Sequence, residues 1–348
     1  MDPLAHTLFG AALAETGLKR VSRYATATLL IGANLPDIDV IAQVAGGDAA
    51  LYARRGWTHG VLALALLPLL LAGAILLWHR WRGARHGGAP PLRAGALLAV
   101  ACLGVWSHPA LDWLNTYGVR LLMPFDGRWF YGDTLFIVDP WLWLLLAAGV
   151  VVARSAHWPA ASAWLLLGGI ASWLVLTRGL PAAVAIGWCG GLLLIVLLRW
   201  RLPAAQAARV AQVGVAAGLV HIAVAWGLAR AAETQAAARF PPAQVVQASP
   251  MPAQPHRHRI VLAYPDRYLV LDPDGSPHTL PRAPLDAVVQ RALTDPSIRG
   301  FAGWTRFPWW QVEPHAGGWR VRFHDLRYSR PGGPGSGIGY AEVIVPGP

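Results

Sequence analysis

Seven apolar runs, at residues 24–45, 57–78, 92–113, 134–153, 159–177, 181–198 and 210–230, are each about long enough for a helix to cross about 30 Å of hydrocarbon. Backbone in lipid must satisfy its own hydrogen bonds, so such runs predict an all-α polytopic membrane domain of about seven spans. Composition agrees: the chain is 55% hydrophobic and 14% charged, against roughly 25% charged in a soluble domain, which also excludes a disordered chain. A further apolar stretch, 3–18, is short for a crossing. Its His6, Gly10, Ala14 and Gly17 fall on one helical stripe, and small residues there let helices approach closely, so a short tucked or tilted N-terminal helix is expected.

Beyond residue 238 the pattern changes. A Pro-rich segment, FPPAQVVQASPMPAQP, leads into short alternating stretches, RIVLAY, RYLVL, WRVRF and YAEVIV, which read as strands, with a turn at Pro273 to Gly275 and a helix over 284–293. The expected organisation is a transmembrane helical metal-site domain over 1–238 and a small α+β domain outside the membrane over 239–348. Trp304, Phe307, Trp309, Trp310 and Trp319 read as core of that domain, with a lipid contact as the alternative.

The net charge is +11, and Lys19 is its one lysine. The arginines form small groups between apolar runs and no continuous basic stripe, which favours anionic lipid over nucleic acid as partner. With seven spans, Lys19, Arg20 and Arg23, then Arg80, Arg82, Arg85 and Arg93, then Arg154, then Arg199, Arg201 and Arg209 all fall on one side, which should be the cytoplasm. Arg54, Arg55, Arg120, Arg128 and Arg178 fall opposite. The start, MDPLAHTLFG, has an acid where a cleavable signal peptide carries basic residues, so none is expected. Cys102 and Cys189 lie within apolar runs and offer neither a disulfide framework nor a Cys-based zinc site.

Acids locate the chemistry. None occurs from 140 to 232, whereas Asp2, Glu15, Asp37, Asp39, Asp48, Asp112, Asp126, Asp133 and Asp139 precede that stretch, and an acid within or beside a span generally needs a partner or a function. Four clusters stand out: Asp2 with His6; Asp37 and Asp39 just after Pro36, which stops or kinks a span; His59 in Arg-Gly-Trp-Thr-His-Gly; and His108 with Asp112, four apart and on one helical face. Alternating the spans brings His59, His108 and Asp112 to one membrane face, with Asp37 and Asp39 near it. Imidazole and carboxylate are the ligands of catalytic zinc and related divalent ions, and this many of them exceeds the needs of one ion, so two or more are an option. Taken singly, each cluster has a plainer reading: an interfacial hydrogen bonder, a buried His–Asp pair, a helix cap. It is their convergence that favours metal. Residues 114–139 should form a loop or surface helix over this site, with Asp133 and Asp139 as candidate orienters of ligands and the aromatic Trp129, Phe130 and Tyr131 at headgroup level.

At these residues the chain resembles the YdjM-type inner-membrane metal-dependent hydrolases: Asp-Pro-Leu-Ala-His-Thr at the start, Leu-Pro-Asp-Ile-Asp, Arg-Gly-Trp-Thr-His-Gly, and His-x-x-x-Asp followed by Asn-Thr-Tyr-Gly. Arg306 to Trp309 and Asp325 to Tyr328 also resemble that family, less specifically. The order of ligands is distantly similar to that of zinc-dependent phospholipase C, although the further His and Glu ligands of those enzymes have no counterpart here. The resemblance implies His6, Asp37, His59, His108 and Asp112 as metal ligands, with zinc as the metal and Asp2 and Asp39 as further candidates. The expected function is a multi-pass inner-membrane hydrolase, its site and C-terminal domain extracytoplasmic, cleaving an ester or phosphodiester bond of a lipid or lipid-linked substrate through metal-activated water. Asp39 is the candidate general base, with bridging of two ions as its other role. Arg55 or Arg120 would bind a phosphate, or lipid headgroups nonspecifically. Two other classes stay open: a proton- or cation-coupled transporter, which needs a polar path through both leaflets, and a noncatalytic lipid-binding protein.

Overall fold

The computed structural model describes residues 1–82, 90–332 and 335–347, so Arg85 lies outside the described residues. The chain runs α1 (Pro3–Glu15), α2 (Ala25–Gly32), a 3-10 segment (Leu35–Ala45), α3 (Gly47–Ala53), α4 (Val61–Arg82), α5 (Ala94–Trp113), α6 (Pro140–Arg154), α7 (Trp158–Leu176), α8 (Ala182–Arg201) and α9 (Ala207–Arg239). It continues as β1 (Val245–Met251), β2 (Gln254–Ala263), β3 (Arg267–Leu271), β4 (Pro277–Pro281), α10 (Ala287–Leu293), α11 (Arg299–Trp304), β5 (Pro308–His315), β6 (Gly318–Asp325) and β7 (Tyr340–Pro346). By packing there are two units. Met1–Ile38, Trp57–Trp226 and Pro252–Pro255 make the first; Asp39–Gly56, Gly227–Met251 and His256–Pro348 make the second.

Among the described residues, six helical stretches are long and apolar enough to span, and Pro140–Arg154 is a shorter apolar helix. Its 15 residues reach only about 22 Å. The run predicted from residue 134 starts late because Pro140 stands at the first helical position and the Asp139 carboxylate accepts the Leu142 N–H at 2.8 Å, which fixes the start there. α6 is nevertheless well buried, through Leu142, Trp143, Leu146 and Val150, in a cluster shared with Leu8 and Ala12 of α1 and Trp188 of α8. The outward faces of α7 and α8 are the reverse: Leu165, Trp173 and Ile186 are 63%, 66% and 73% exposed. Apolar surface on that scale suits lipid and would be an aggregation hazard in water.

Small residues set the closest helix approaches. A Cβ on Gly10 would sit 2.8 Å from the Leu29 carbonyl oxygen and 3.0 Å from the Ala33 Cβ, so α1 and α2 touch through the stripe that the sequence singled out. Gly17 does not share in this contact. It lies past the end of α1 with φ +125°, a conformation that favours glycine. Gly32 of α2 and Gly104 of α5 likewise bring backbone within van der Waals reach of backbone. A Gly10→Val variant is expected to lose about 1–3 kcal/mol from overpacking. Thermal unfolding in detergent measures that loss, and an unchanged midpoint would show the contact to be slack.

In the second unit, β1 to β4 form one sheet in sequence order and β5 to β7 a second. β2 pairs antiparallel with β3 and β3 with β4; β5 pairs antiparallel with β6 and β6 with β7. The four predicted strands fall in β2, β3, β6 and β7, and the predicted helix is α10, with Asp286 capping it through the Val289 N–H. β1, Val245–Met251, is a further strand within the Pro-rich segment, with Pro250 inside it. Val261, Tyr268 and Val270 of the first sheet pack with Phe307, Trp309 and Leu326, so the two sheets share one core. Trp304 is buried there as expected, whereas Trp319 is 37% exposed. Asp48 on α3 accepts from the backbone N–H of Gly300 and of Phe301, each at 2.9 Å, so Asp39–Gly56 is anchored to the start of α11.

Candidate metal centre

Asp112 is the hub of the buried polar cluster in the first unit. Its Oδ1 is 3.3 Å from His6 Nε2, and its Oδ2 is 3.2 Å from His59 Nε2 and 3.6 Å from His108 Nε2. The α-amino group of Met1 also contacts Oδ1. His108 Nε2 lies 3.7 Å from Asp37 Oδ1. One ligand atom from each of Asp37, His59, His108 and Asp112 falls within 4.8 Å of all the others. The rings of His6 and His108 stack at 3.7 Å between centroids and 15° between planes, so His6 borders this group directly. His6, His59, His108 and Asp112 are all 0% exposed.

Each side chain is placed by something local. His108 is one helical turn beyond Gly104, whose close approach to α2 lets the His108 Nδ1–H donate to the Ala33 carbonyl at 2.7 Å. That bond turns Nε2 toward the cluster, the second-sphere arrangement seen for metal-binding histidines. His59 has its Nδ1 2.9 Å from Thr58 Oγ1. Gly60 beside it admits the Met123 carbonyl where a Cβ would be 2.3 Å away, and the Val61 N–H donates to the Leu121 carbonyl at 2.9 Å, which pins the start of α4. Asp37 follows the break at Pro36: α2 stops at Gly32, and the chain turns into the 3-10 segment with the Asp37 N–H donating to Asn34 at 3.1 Å. His6 rides on α1, which packs against α2 at Gly10 and against α6 in the shared apolar cluster.

The remaining sequence candidates take other positions. Asp2 caps α1, accepting from the Leu4 and Ala5 N–H groups at 3.0 Å and from the Trp143 indole at 3.1 Å. Asp139, besides capping α6, accepts from His221 Nε2 at 3.1 Å, a partner on α9 that sequence spacing did not suggest. Asp39 belongs to the second unit, where its carboxylate accepts the Arg55 N–H at 2.8 Å and lies 3.5 Å from Arg54 Nε. Asp133 is buried with φ 49° in the segment 114–139, which is neither a helix nor a plain loop but is pinned by bridges of Asn115 with Leu135 and Val119 with Phe130.

The cluster fits a divalent cation. Buried imidazoles ordinarily find hydrogen-bond partners, yet among the described residues His6 Nδ1 has none, and His6 Nε2 and His108 Nε2 reach carboxylate oxygens only at 3.3 to 3.7 Å. Three imidazoles and two carboxylates are also the donor set that zinc and its neighbours take.

A family model described as YdjM inner membrane protein matches residues 1–181, just over half of the chain and all five residues above. The protein called Uncharacterized protein YfhP, from Bacillus subtilis (strain 168), is 24% identical over 123 residues, which is 35% of each chain. No solved structure matches.

Proposed function

We propose that this chain, which belongs to the YdjM inner membrane protein family, is a membrane-embedded metal-dependent hydrolase acting on an ester or phosphodiester bond of a lipid or lipid-linked substrate. The observation that carries this reading is the convergence on Asp112 of buried imidazoles from three separate segments of the chain, two on helices and one in the turn before α4, with His6 Nδ1 making no hydrogen bond among the described residues. His6, Asp37, His59, His108 and Asp112 would hold the cation. When bound, a cation such as zinc supplies Lewis acidity, lowering the pKa of water toward neutrality and polarising a carbonyl or phosphoryl oxygen. Ala33 and Thr58 orient the imidazoles, and burial of the cluster excludes bulk water. Asp39 is the proposed general base, its carboxylate kept in place by Arg54 and Arg55.

The proposed orientation rests on the basic loops of the first unit. Glu15 pairs with Lys19 and with Arg154, Ser22 bonds Arg93, and Ser155 bonds Arg199, which gathers the basic loops at the helix ends opposite His6, His59 and Asp112. By the positive-inside rule the metal cluster then faces the extracytoplasmic side.

Purified full-length protein in detergent should carry a stoichiometric transition metal by elemental analysis, and should release product from a phospholipid or isoprenoid-phosphate panel only while the metal is present. Asp39→Asn separates the roles. It is expected to keep the metal while turnover drops by about a hundredfold or more. Metal-free wild type would remove the hydrolase, and a fully active Asp39→Asn would remove Asp39 as the base.

A further inference from the structure

A second site lies in the first unit, among α1, α6, α7 and α8. There a cleft of about 720 Å³ is lined by apolar side chains, notably Leu8, Trp143, Trp164, Trp188 and Ile195, and ends at Arg199. That volume is in the range of about 300–1,000 Å³ typical of ligand sites. The cleft starts among the basic helix ends and reaches inward to Leu4 and Leu8 of α1. Its inner polar groups are already satisfied: the Trp188 indole donates to Ser172 Oγ at 2.9 Å, and that hydroxyl donates to the Gly168 carbonyl at 2.7 Å. An occupant of the interior must therefore be largely apolar, because the walls are mostly aliphatic and aromatic carbon and Trp188 and Ser172 are already bonded to one another.

The mouth demands the opposite. Arg199 Nε donates to Ser155 Oγ at 2.8 Å and its Nη2 approaches the Ser155 carbonyl at 3.4 Å, which holds the guanidinium at the rim. No carboxylate pairs with it among the described residues, and the sequence has no acid from 140 to 232. Arg154, Arg201 and Arg209 share that end, Trp200 flanks it at 73% exposure, and Arg201 lies over the Trp200 ring at 4.7 Å. A fixed guanidinium without a counter-charge, beside an indole at the rim of an apolar slot, matches one ligand chemistry: a phosphate joined to a hydrocarbon chain. The surrounding positive charge disfavours a choline or ethanolamine headgroup beside that phosphate.

We propose that this cleft binds one anionic phospholipid from the leaflet at the arginine-rich helix ends, its phosphate on Arg199 and an acyl chain along Trp164 and Trp188 toward α1. The inference does not rest on the hydrolase reading, since its anionic mouth at Arg199 is at the opposite helix ends from Asp112 and none of the proposed metal ligands lines the cleft. Gly168 supplies the means to test it: it lines the cleft, and a Cβ there meets nothing within 4 Å. Gly168→Leu would therefore project a side chain into the slot from a Cβ that has room, and it also removes a glycine from a helix interior, which does not weaken the helix.

The experiment is native mass spectrometry of the full chain in detergent, titrated with dioleoyl phosphatidylglycerol and separately with dioleoyl phosphatidylcholine. Wild type is expected to retain one phosphatidylglycerol, with phosphatidylcholine weaker by about tenfold. Arg199→Gln should weaken phosphatidylglycerol by about the same factor, Arg199→Lys should keep most of the binding, and Gly168→Leu should abolish it with Arg199 intact. Equal retention of the two lipids overturns the proposal. So does wild-type retention of phosphatidylglycerol in either Arg199→Gln or Gly168→Leu, because the lipid would then sit elsewhere.

Discussion

Asp112→Ala is expected to lose its metal, with affinity down by at least about a hundredfold. Carboxylates that merely orient a ligating imidazole are worth about 10–100-fold in metal affinity, and Asp112 stands closer to the matter than that, within 3.3 Å of His6 Nε2 and 3.2 Å of His59 Nε2. Removing it would take away a proposed ligand and the carboxylate that three rings face. Elemental analysis of protein purified from metal-supplemented cells reads the outcome directly. The informative control is Asp139→Ala. Asp139 is also a buried carboxylate beside an imidazole, His221 at 3.1 Å, but it is outside the group of four that meet within 4.8 Å. It should cost stability while leaving the metal in place. If both variants keep metal, or both lose it equally, the centre is misassigned. Retention should also weaken in acid, because imidazole and carboxylate must shed protons to bind a cation.

Much of this centre was legible because its parts obey short-range rules. His108 and Asp112 share a face at a spacing of four, Pro36 forces a break beside Asp37, and alternating spans predict which ends meet. What the spacing leaves out is anything decided by packing. That Ala33 accepts from His108 depends on Gly32 and Gly104 letting two backbones touch, and no local pattern announces which glycine meets which. Asp2 reads as a ligand candidate from its spacing to His6, yet a residue just before Pro3 is equally placed to cap α1, and the Trp143 indole donates to the same carboxylate. The late start of α6 is a similar case. Residues 134–138 are apolar enough to extend a span, but Asp139 and Pro140 form the stronger start signal. In the C-terminal unit, β1 was hidden by prolines at Pro250 and Pro252, because a strand at one end of its sheet order tolerates what a central strand does not.

Asp325→Ala should open the C-terminal unit around residues 304–329, at a cost of about 3–5 kcal/mol, the usual penalty for leaving one member of a buried ion pair uncompensated. Asp325 and Arg327 are 0% and 3% exposed. Asp325 Oδ2 accepts from Thr305 Oγ1 at 2.9 Å, the Arg306 N–H at 2.7 Å and Arg327 Nη2 at 2.8 Å, while Oδ1 accepts from Arg327 Nε at 2.9 Å. The Leu326 N–H donates to the Phe307 carbonyl at 3.1 Å. The two outer segments that the sequence singled out, Arg306 to Trp309 and Asp325 to Tyr328, are thus one structure, closed over by the Trp304 ring 4.5 Å from the guanidinium carbon. Burial alone would raise the Asp325 pKa, but the charge of Arg327 and the donated hydrogen bonds outweigh it and hold the carboxyl below its ordinary value. A depressed folded pKa contributes stability that is present above the unfolded value of about 4 and is lost as pH falls through the folded one. Hydrogen exchange of the full chain at neutral pH should therefore show 304–329 protected in wild type and exchanging freely in Asp325→Ala. Wild type should lose that protection only in acid, below the ordinary carboxylate range. An Asp325→Leu, Arg327→Met double variant separates a charge left stranded from a void: it removes both charges together and should recover much of the loss. Protection in Asp325→Ala equal to wild type would mean that the backbone, and not this pair, holds the two segments together.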